Sequence, residues 1–351
     1  MLPVRAVLYE EFGGRPEVRE VPDPVPPDGG VLVRVAATGL CRSDWYGWRG
    51  DDPAIPLPQV PGHEFAGEVA AVGTGVTGWR AGDRVTAPFV YACGRCPPCL
   101  AGDQQVCADQ AQPGFTQWGS FAEYVTVQHA AVNLVRLPDA VGFAAAAVLG
   151  CRFGTAFRAV LARGRATAGE WVAVYGCGGV GLSAVLIAAA VGARVVAVDV
   201  AEPALALARR QGAVACVPAA GLTPAAVAAA VRDATGGGAH LSIDALGSAA
   251  TLDAGVRGLR RRGRHVQVGL FPAGGTSPPV PMDVVVAYEL ELHGSHGLPA
   301  HAYPRLLELV EAGTLRPAEL VTETLTLAAA ATALTTMDRP APPGVRLINP
   351  A

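Results

Sequence analysis

The sequence predicts an α/β protein built from two architectures: a β-rich region of small-barrel or sandwich type, followed by a doubly wound parallel sheet. Three observations carry this. From Val4 to about Val135, short alternating apolar runs are separated by Gly and Pro, as strands with turns between them are. At Trp171 the pattern changes to a continuous apolar run, a glycine cluster and an apolar helix that reaches Ala190. Strand and helix patterns then alternate as far as Leu270, which is the signature of a parallel sheet with crossover helices.

In the β-rich region, Val31–Ala36, Gly67–Val72 and Phe121–Val127 alternate as half-buried strands, and Asp23–Gly30 is a Pro-rich connection. Within it lies Cys93-Gly-Arg-Cys96-Pro-Pro-Cys99, with Cys107 following after seven further residues. Four thiolates complete a tetrahedral shell around zinc, and two-residue spacers let successive sulfurs turn toward one centre. A metal so enclosed has no vertex for substrate. The lobe 91–108 is therefore expected to be a structural staple, in preference to four free thiols or two disulfides.

A second set of ligand types is more dispersed. Cys41-Arg42-Ser43-Asp44 and Gly62-His63-Glu64 supply a thiolate and an imidazole, and Cys151 downstream is a third candidate. Three protein ligands with a fourth position open is the arrangement of a catalytic zinc.

From Ala140 to Leu161 an Ala-rich helical pattern carries Cys151 and Thr155. Trp171–Tyr175 then reads as a buried strand, followed by Gly176-Cys-Gly-Gly-Val-Gly181 and a helix, with Asp199 closing the next strand. Gly176 permits the tight turn, Gly178 a close approach to a pyrophosphate, and Gly181 close packing of helix on strand. The helix N-terminus, with Gly179 and Val180, adds unpaired amides for phosphate. Asp199 stands at about the spacing of an acid that accepts from ribose hydroxyls. Its charge would repel a 2'-phosphate, and Val200–Ala204 holds no Arg to offset it, so NAD(H) is expected over NADP(H). An amphipathic helix near Tyr303–Ala312 and a last strand at Val345–Ile348 are expected to rejoin the first domain.

Composition narrows the function classes. The chain has 351 residues, room for two domains with substantial cores. A net charge of -3 supplies no basic excess to neutralise nucleic acid. All 27 basic residues are Arg, so no Lys is available as a Schiff-base nucleophile. The weakly polar window Val172–Ala193 is long enough to span a membrane, but its glycines split it into a strand and a helix. Arg5, Glu10 and Glu11 interrupt any apolar leader. A soluble cytoplasmic protein is expected, in which eight cysteines serve as metal ligands more readily than as disulfides.

Together these residues resemble the zinc-dependent alcohol dehydrogenases of the medium-chain dehydrogenase/reductase superfamily, over essentially the whole chain. The match runs through Gly39–Asp44, Gly62–Glu64, Ala81–Val85, the cysteine lobe, Cys151, Gly176–Gly181 and Asp199. The resemblance implies a GroES-like catalytic domain at 1–152 and 295–351, a Rossmann domain at 153–294, two zinc ions and a homodimer or homotetramer. It implies Cys41, His63 and Cys151 as catalytic zinc ligands, with Glu64 behind the metal and able to approach it during ligand exchange. Asp44 would orient His63, and Ser43 would hold the hydroxyl position of a proton relay. Arg42 and Arg346 match pyrophosphate-contacting positions, while Thr155, Val268, Leu270 and Ser295 match the nicotinamide surroundings.

The expected chemistry is Lewis-acid activation of an alcohol oxygen, proton release through Ser43 and hydride transfer to nicotinamide. One departure concerns the outer relay position, which holds Tyr46 in place of the histidine of many relatives. Tyr titrates too high to serve there as a neutral-pH base. Trp48, Phe89 and Trp118 are expected at or near an apolar substrate pocket, with packing as the competing reading for Trp118. Competing functions are a same-fold reductase of an activated double bond or imine, and a non-catalytic nucleotide-binding zinc scaffold. Cys177, Cys216 and the histidines at 240, 265 and 301 are expected to be packing or surface residues; His296 could border the nicotinamide.

Overall fold

The computed structural model describes residues 4–271, 277–339 and 342–351. Its contacts divide the chain into unit 1, Met1–Gly154 with Gly297–Ala341 and Val345–Ala351, and unit 2, Thr155–His296 with Pro342–Gly344. These divisions fall two residues beyond those that the resemblance implies, 152/153 and 294/295.

Unit 1 is organised on the strand Val31–Leu40. Val31, Val33 and Val35 alternate inward onto Phe65, Val69, Val85, Val125 and Val127. Each such buried valine contributes roughly 1.5–3 kcal/mol of transfer free energy. The seven-stranded sheet runs Val321–Thr326, Val345–Asn349, Val31–Leu40, Phe65–Val72, Arg84–Thr86 and Val135–Arg136, with Tyr124–Val127 also paired to Val31–Leu40. The tail strand pairs antiparallel with the far end of Val31–Leu40, Leu347 opposite Gly39. That end runs directly into Cys41, so the first candidate ligand is fixed by strand pairing from both ends of the sequence. Val4–Leu8 and Glu17–Val21 form a separate antiparallel pair.

Unit 2 is a six-stranded, all-parallel sheet in the order Ala213–Pro218, Arg194–Asp199, Trp171–Tyr175, Ala239–Asp244, Leu259–Gln267, Glu291–Gly294. In chain order this is 3-2-1-4-5-6, the doubly wound arrangement that the sequence predicted. Strand order reverses between Trp171–Tyr175 and Ala239–Asp244, and ligands of such sheets bind outside the carboxyl ends of the strands at that reversal. Val172, Ala173, Val174 and Tyr175 are fully buried, as a central strand covered on both faces requires.

The weakly polar window from Val172 divides as expected into the strand Trp171–Tyr175 and the helix Gly179–Ala190. One other helical stretch, Phe143–Arg163, is long and apolar enough to cross a membrane, and 72% of its apolar window is buried inside the fold. It is broken by π-turns at Leu149–Phe153 and Arg158–Arg163. Such turns are frequent at functional sites, and the first contains Cys151.

Candidate active site and metal centres

Three pieces of unit 1 converge on one point. Cys41 is the N-cap of the helix Arg42–Arg49, His63 and Glu64 precede the strand Phe65–Val72, and Cys151 lies in the π-turn. One ligand atom from each of Cys41, His63, Glu64 and Cys151 lies within 4.8 Å of the others. Asp44 Oδ1 stands 2.8 Å from His63 Nδ1, which leaves Nε2 facing the sulfurs, buried and with no hydrogen-bond partner. An orphaned imidazole nitrogen costs free energy unless a ligand satisfies it, and two thiols beside it make that ligand a soft or borderline divalent metal. The residues fit zinc.

The electrostatics agree. Contact with Cys151, and with His63 and Arg152, holds the Cys41 thiol well below its ordinary range, whereas Cys151, facing that thiolate and buried, is pushed up. Burial disfavours a charged His63, yet Asp44 and Cys41 together outweigh it and hold the imidazole well above its usual range. A bound cation would take over the role of these protons and deprotonate both sulfurs.

Glu64 is fully buried and paired with Arg152. Burial pushes its carboxyl up, and Arg152 opposes that. Arg152 Nε and backbone N–H donate to Glu64 Oε1 at 2.9 and 3.0 Å, and Nη2 donates to Oε2. Gly39 makes the space, because a Cβ there would overlap Glu64 Oε2 and come within 2.5 Å of Arg152 Nη2. Sequence reading missed Arg152, although a lone charge in the apolar run Phe143–Phe157 was a signal that it needed a buried partner.

Around the imidazole stand two aromatic rings, Phe89 at 6.2 Å and Phe115 at 5.3 Å between centroids. Phe115 had no spacing signal in the sequence. Ser43 Oγ is 3.8 Å from Cys41 Sγ and half-buried. Tyr46 and Trp48 pack on the cluster of Val4, Val7, Leu40 and Leu334, and Trp48 Nε1 donates to Gly14 O at 2.7 Å. Trp118 is 40% exposed, donates to Pro58 O and lines a small cavity with Val4, Val21 and Val60.

The second cluster is Cys93, Cys96, Cys99 and Cys107, again with sulfurs within 4.8 Å of one another. A tetrahedral zinc–thiolate shell needs sulfurs about 3.8 Å apart. Here Cys96 lies 3.4 Å from Cys99 and 3.7 Å from Cys107, and Cys107 lies 3.5 Å from Cys93. Backbone N–H groups of Cys99 and Ala108 lower the Cys96 thiol to about 6, while burial pushes Cys99 up to about 12. Lobe and metal suit each other without any outside ligand.

In unit 2 the glycine loop joins strand to helix. Gly176 has φ +86, a Cβ at Gly178 would meet nothing, and one at Gly181 would overlap the Gly176 carbonyl. The helix Gly179–Ala190 starts without a side-chain cap, so the amides near Val180 are left to a ligand or water. Asp199 Oδ2 accepts from Cys177 N at 2.6 Å and Oδ1 from Ala201 N at 2.8 Å, which seats the carboxylate beside the loop. Val268 N donates to Asp244 O at 3.0 Å, Leu270 is 67% exposed, and Ser295 follows the last strand with its Oγ buried and unpaired. All these lie at the carboxyl ends of the strands. Thr155 opens unit 2, buried, with Oγ1 unpaired. Arg42 and Arg346 belong to unit 1, Arg42 exposed and 5.2 Å from the Trp45 ring, Arg346 half-buried opposite Leu40.

Residues 27–139 match the family model described as the alcohol dehydrogenase GroES-like domain, and residues 179–312 match that described as zinc-binding dehydrogenase. An alcohol dehydrogenase from Geobacillus stearothermophilus is 38% identical over 296 residues, 83% of this chain and 84% of the relative. A solved structure from E. coli CFT073, described as a short chain alcohol dehydrogenase complexed with NADH, is 27% identical with a TM-score of 0.87, covering 99% of both chains. A structure from Sinorhizobium meliloti 1021 bound to NADP is 28% identical with a TM-score of 0.88, covering 100% of both chains.

Proposed function

The chain belongs to the zinc-dependent alcohol dehydrogenases of the medium-chain dehydrogenase/reductase superfamily, and from that premise we propose that it interconverts a primary or secondary alcohol with its aldehyde or ketone, using NAD(H). The single observation that carries the reading is the orphaned, buried Nε2 of His63 between the thiols of Cys41 and Cys151. A scaffold would need the four-cysteine lobe and no such second group.

Zinc bound at the first group supplies Lewis acidity that lowers the pKa of an alcohol oxygen, and NAD supplies the hydride acceptor. The protein's own residues do the rest. Cys41, His63 and Cys151 would hold the metal, and Asp44 fixes the imidazole tautomer and orientation. Ser43, with its Oγ 3.8 Å from Cys41 Sγ, passes the released proton onward. Phe89 and Phe115 crowd the imidazole and exclude water from its face. Gly176 to Gly181 receive the pyrophosphate, and Asp199, a fixed negative charge, selects against a 2'-phosphate.

We read the protein as a homodimer or homotetramer in the cytoplasm. Among the described residues the last strand of the unit 2 sheet, Glu291–Gly294, pairs on one side only, and the helix Met282–Tyr288 that precedes it in the chain has no buried residue. Met282, Val286 and Leu292 are 52%, 73% and 39% exposed, an apolar edge suited to a second copy. All eight cysteines are free thiols, which suits a reducing compartment.

The decisive experiment is a panel of alcohols and carbonyl compounds assayed with NAD(H) and NADP(H), with zinc counted per chain and mass measured by sedimentation. Two zinc ions and turnover with NAD are expected. Full zinc occupancy with no turnover on any alcohol, but reduction of an activated double bond or imine, would replace this reading with the same-fold reductase.

A further inference from the structure

Glu64 poses a problem for an open metal site. Its carboxylate belongs to the same group of atoms within 4.8 Å as Cys41, His63 and Cys151. By distance alone it could serve as a fourth protein ligand, and a fourth protein ligand would turn a catalytic site into a closed one.

What prevents this is visible in the hydrogen bonds. Both Glu64 oxygens are taken by one residue: Arg152 Nε and backbone N–H converge on Oε1, and Nη2 takes Oε2. Nη1 is itself anchored on Leu40 O at 3.2 Å, one residue before the ligand Cys41. Glu64 is wholly buried and Arg152 is 5% exposed, so water does not compete for the pair. Gly39 reserves the volume in which carboxylate and guanidinium meet. A fork of two parallel N–H donors is the strongest grip a protein side chain offers a carboxylate.

We propose that Arg152 is a positioning residue that holds Glu64 out of the coordination sphere and so keeps the fourth vertex open to substrate. The proposal rests on the metal site read above. The π-turn gives it a structural logic, since the ligand Cys151 and the restraining Arg152 are adjacent in it. The segment that delivers the third thiol also delivers the guanidinium that restrains the competing acid.

The test loads wild type, R152Q and the double variant E64Q/R152Q with Co2+ and titrates each with imidazole, following the visible ligand-field spectrum. The lobe contributes a constant background because its shell is filled. Wild type is expected to shift its spectrum as imidazole enters the open vertex. R152Q should show an altered spectrum before any addition and bind imidazole about tenfold or more weakly, because the released carboxylate occupies the vertex. E64Q/R152Q should regain the wild-type response. R152Q titrating like wild type, or a double variant as weak as the single one, would overturn the proposal. If R152Q does not fold, R152K, which keeps the charge and loses the fork, is read by the same two measures. Wild type that takes up cobalt only in the lobe would instead sink the metal-site reading itself.

Discussion

Asp44 Oδ1 lies 2.8 Å from His63 Nδ1 and accepts the Gly62 N–H at 3.0 Å, while Oδ2 accepts the Cys41 N–H at 2.9 Å. One buried carboxylate thus ties both sequence motifs of the metal group together and dictates which imidazole nitrogen faces the sulfurs. Asp44→Asn keeps the size and one acceptor but loses the charge. The expected result is a metal affinity at the Cys41 site about 10–100-fold weaker, with the lobe unaffected, measured by competition with a chromogenic chelator. Unchanged affinity would mean that the tautomer is fixed by something else.

Gly39→Ala should be costly for a reason that has nothing to do with backbone freedom. Its added methyl meets Glu64 and Arg152, neither of which can move without breaking a buried ion pair. Overpacking of this kind typically costs about 1–3 kcal/mol, readable as a lowered urea midpoint. Gly294→Ala, where a Cβ meets nothing within 4 Å, is the control and should leave the midpoint in place.

The two cysteine groups should fail differently. Cys96 is only half-buried, so Cys96→Ser changes little packing but removes a lobe ligand. The zinc-loaded protein should lose one ion per chain and melt earlier, while the metal-free forms of variant and wild type melt together. Cys151→Ser should abolish turnover with the lobe and its ion intact. Equal loss of stability and of activity from both substitutions would show the roles to be misassigned.

The parts of this molecule that the sequence announced are those in which chemistry is repeated at short range. The lobe is written in one stretch of four thiols, and the glycine loop sits between a strand and a helix whose periods differ. Cys41, His63 and Cys151 lie far apart in the chain, and it is the resemblance to the zinc-dependent alcohol dehydrogenases that groups them as one ligand set. What escaped was held by long-range geometry. Arg152 and Glu64 are 88 residues apart, and their pairing depends on a strand that brings Gly39 against both. Phe115 reaches His63 through a loop with no periodic pattern. Trp118 reads from sequence as pocket or packing because an aromatic residue serves either end, and its contact with Pro58 is again a long-range one.

Asp199 is held by the amides of Cys177 and Ala201, so its charge is fixed where the strand ends. Asp199→Asn preserves an acceptor and removes the charge. The ratio of kcat/KM for NADP to that for NAD should rise about tenfold, equivalent to roughly 1.4 kcal/mol of lost discrimination. A ratio that stays put would place the selection against 2'-phosphate in other residues.

The last prediction concerns pH and lies wholly within unit 2. His265 is 2% exposed, with Nδ1 2.8 Å from Ser242 Oγ and Nε2 3.3 Å from Gln267 Oε1. The ring also fills space that a Cβ at Gly255 would invade, standing 3.0 Å from His265 Cε1. Burial disfavours the imidazolium and lowers the titration of His265 below the ordinary value of 6.5, against a smaller opposing effect of Gln267. The sign follows from linkage. Above about 6.5 neither folded nor unfolded chain binds the proton, and nothing is lost. As pH falls through 6.5 the unfolded chain protonates first, so stability declines until pH passes the lower folded value. One such group contributes a slope of at most about 1.4 kcal/mol per pH unit. His265→Asn keeps a hydrogen-bonding side chain and removes the titration. The difference in unfolding free energy between wild type and variant, measured from pH 7 to pH 5, should shift in favour of the variant as acid is added. A difference independent of pH would mean that His265 titrates alike in both states, and the buried ring would then be a packing element alone.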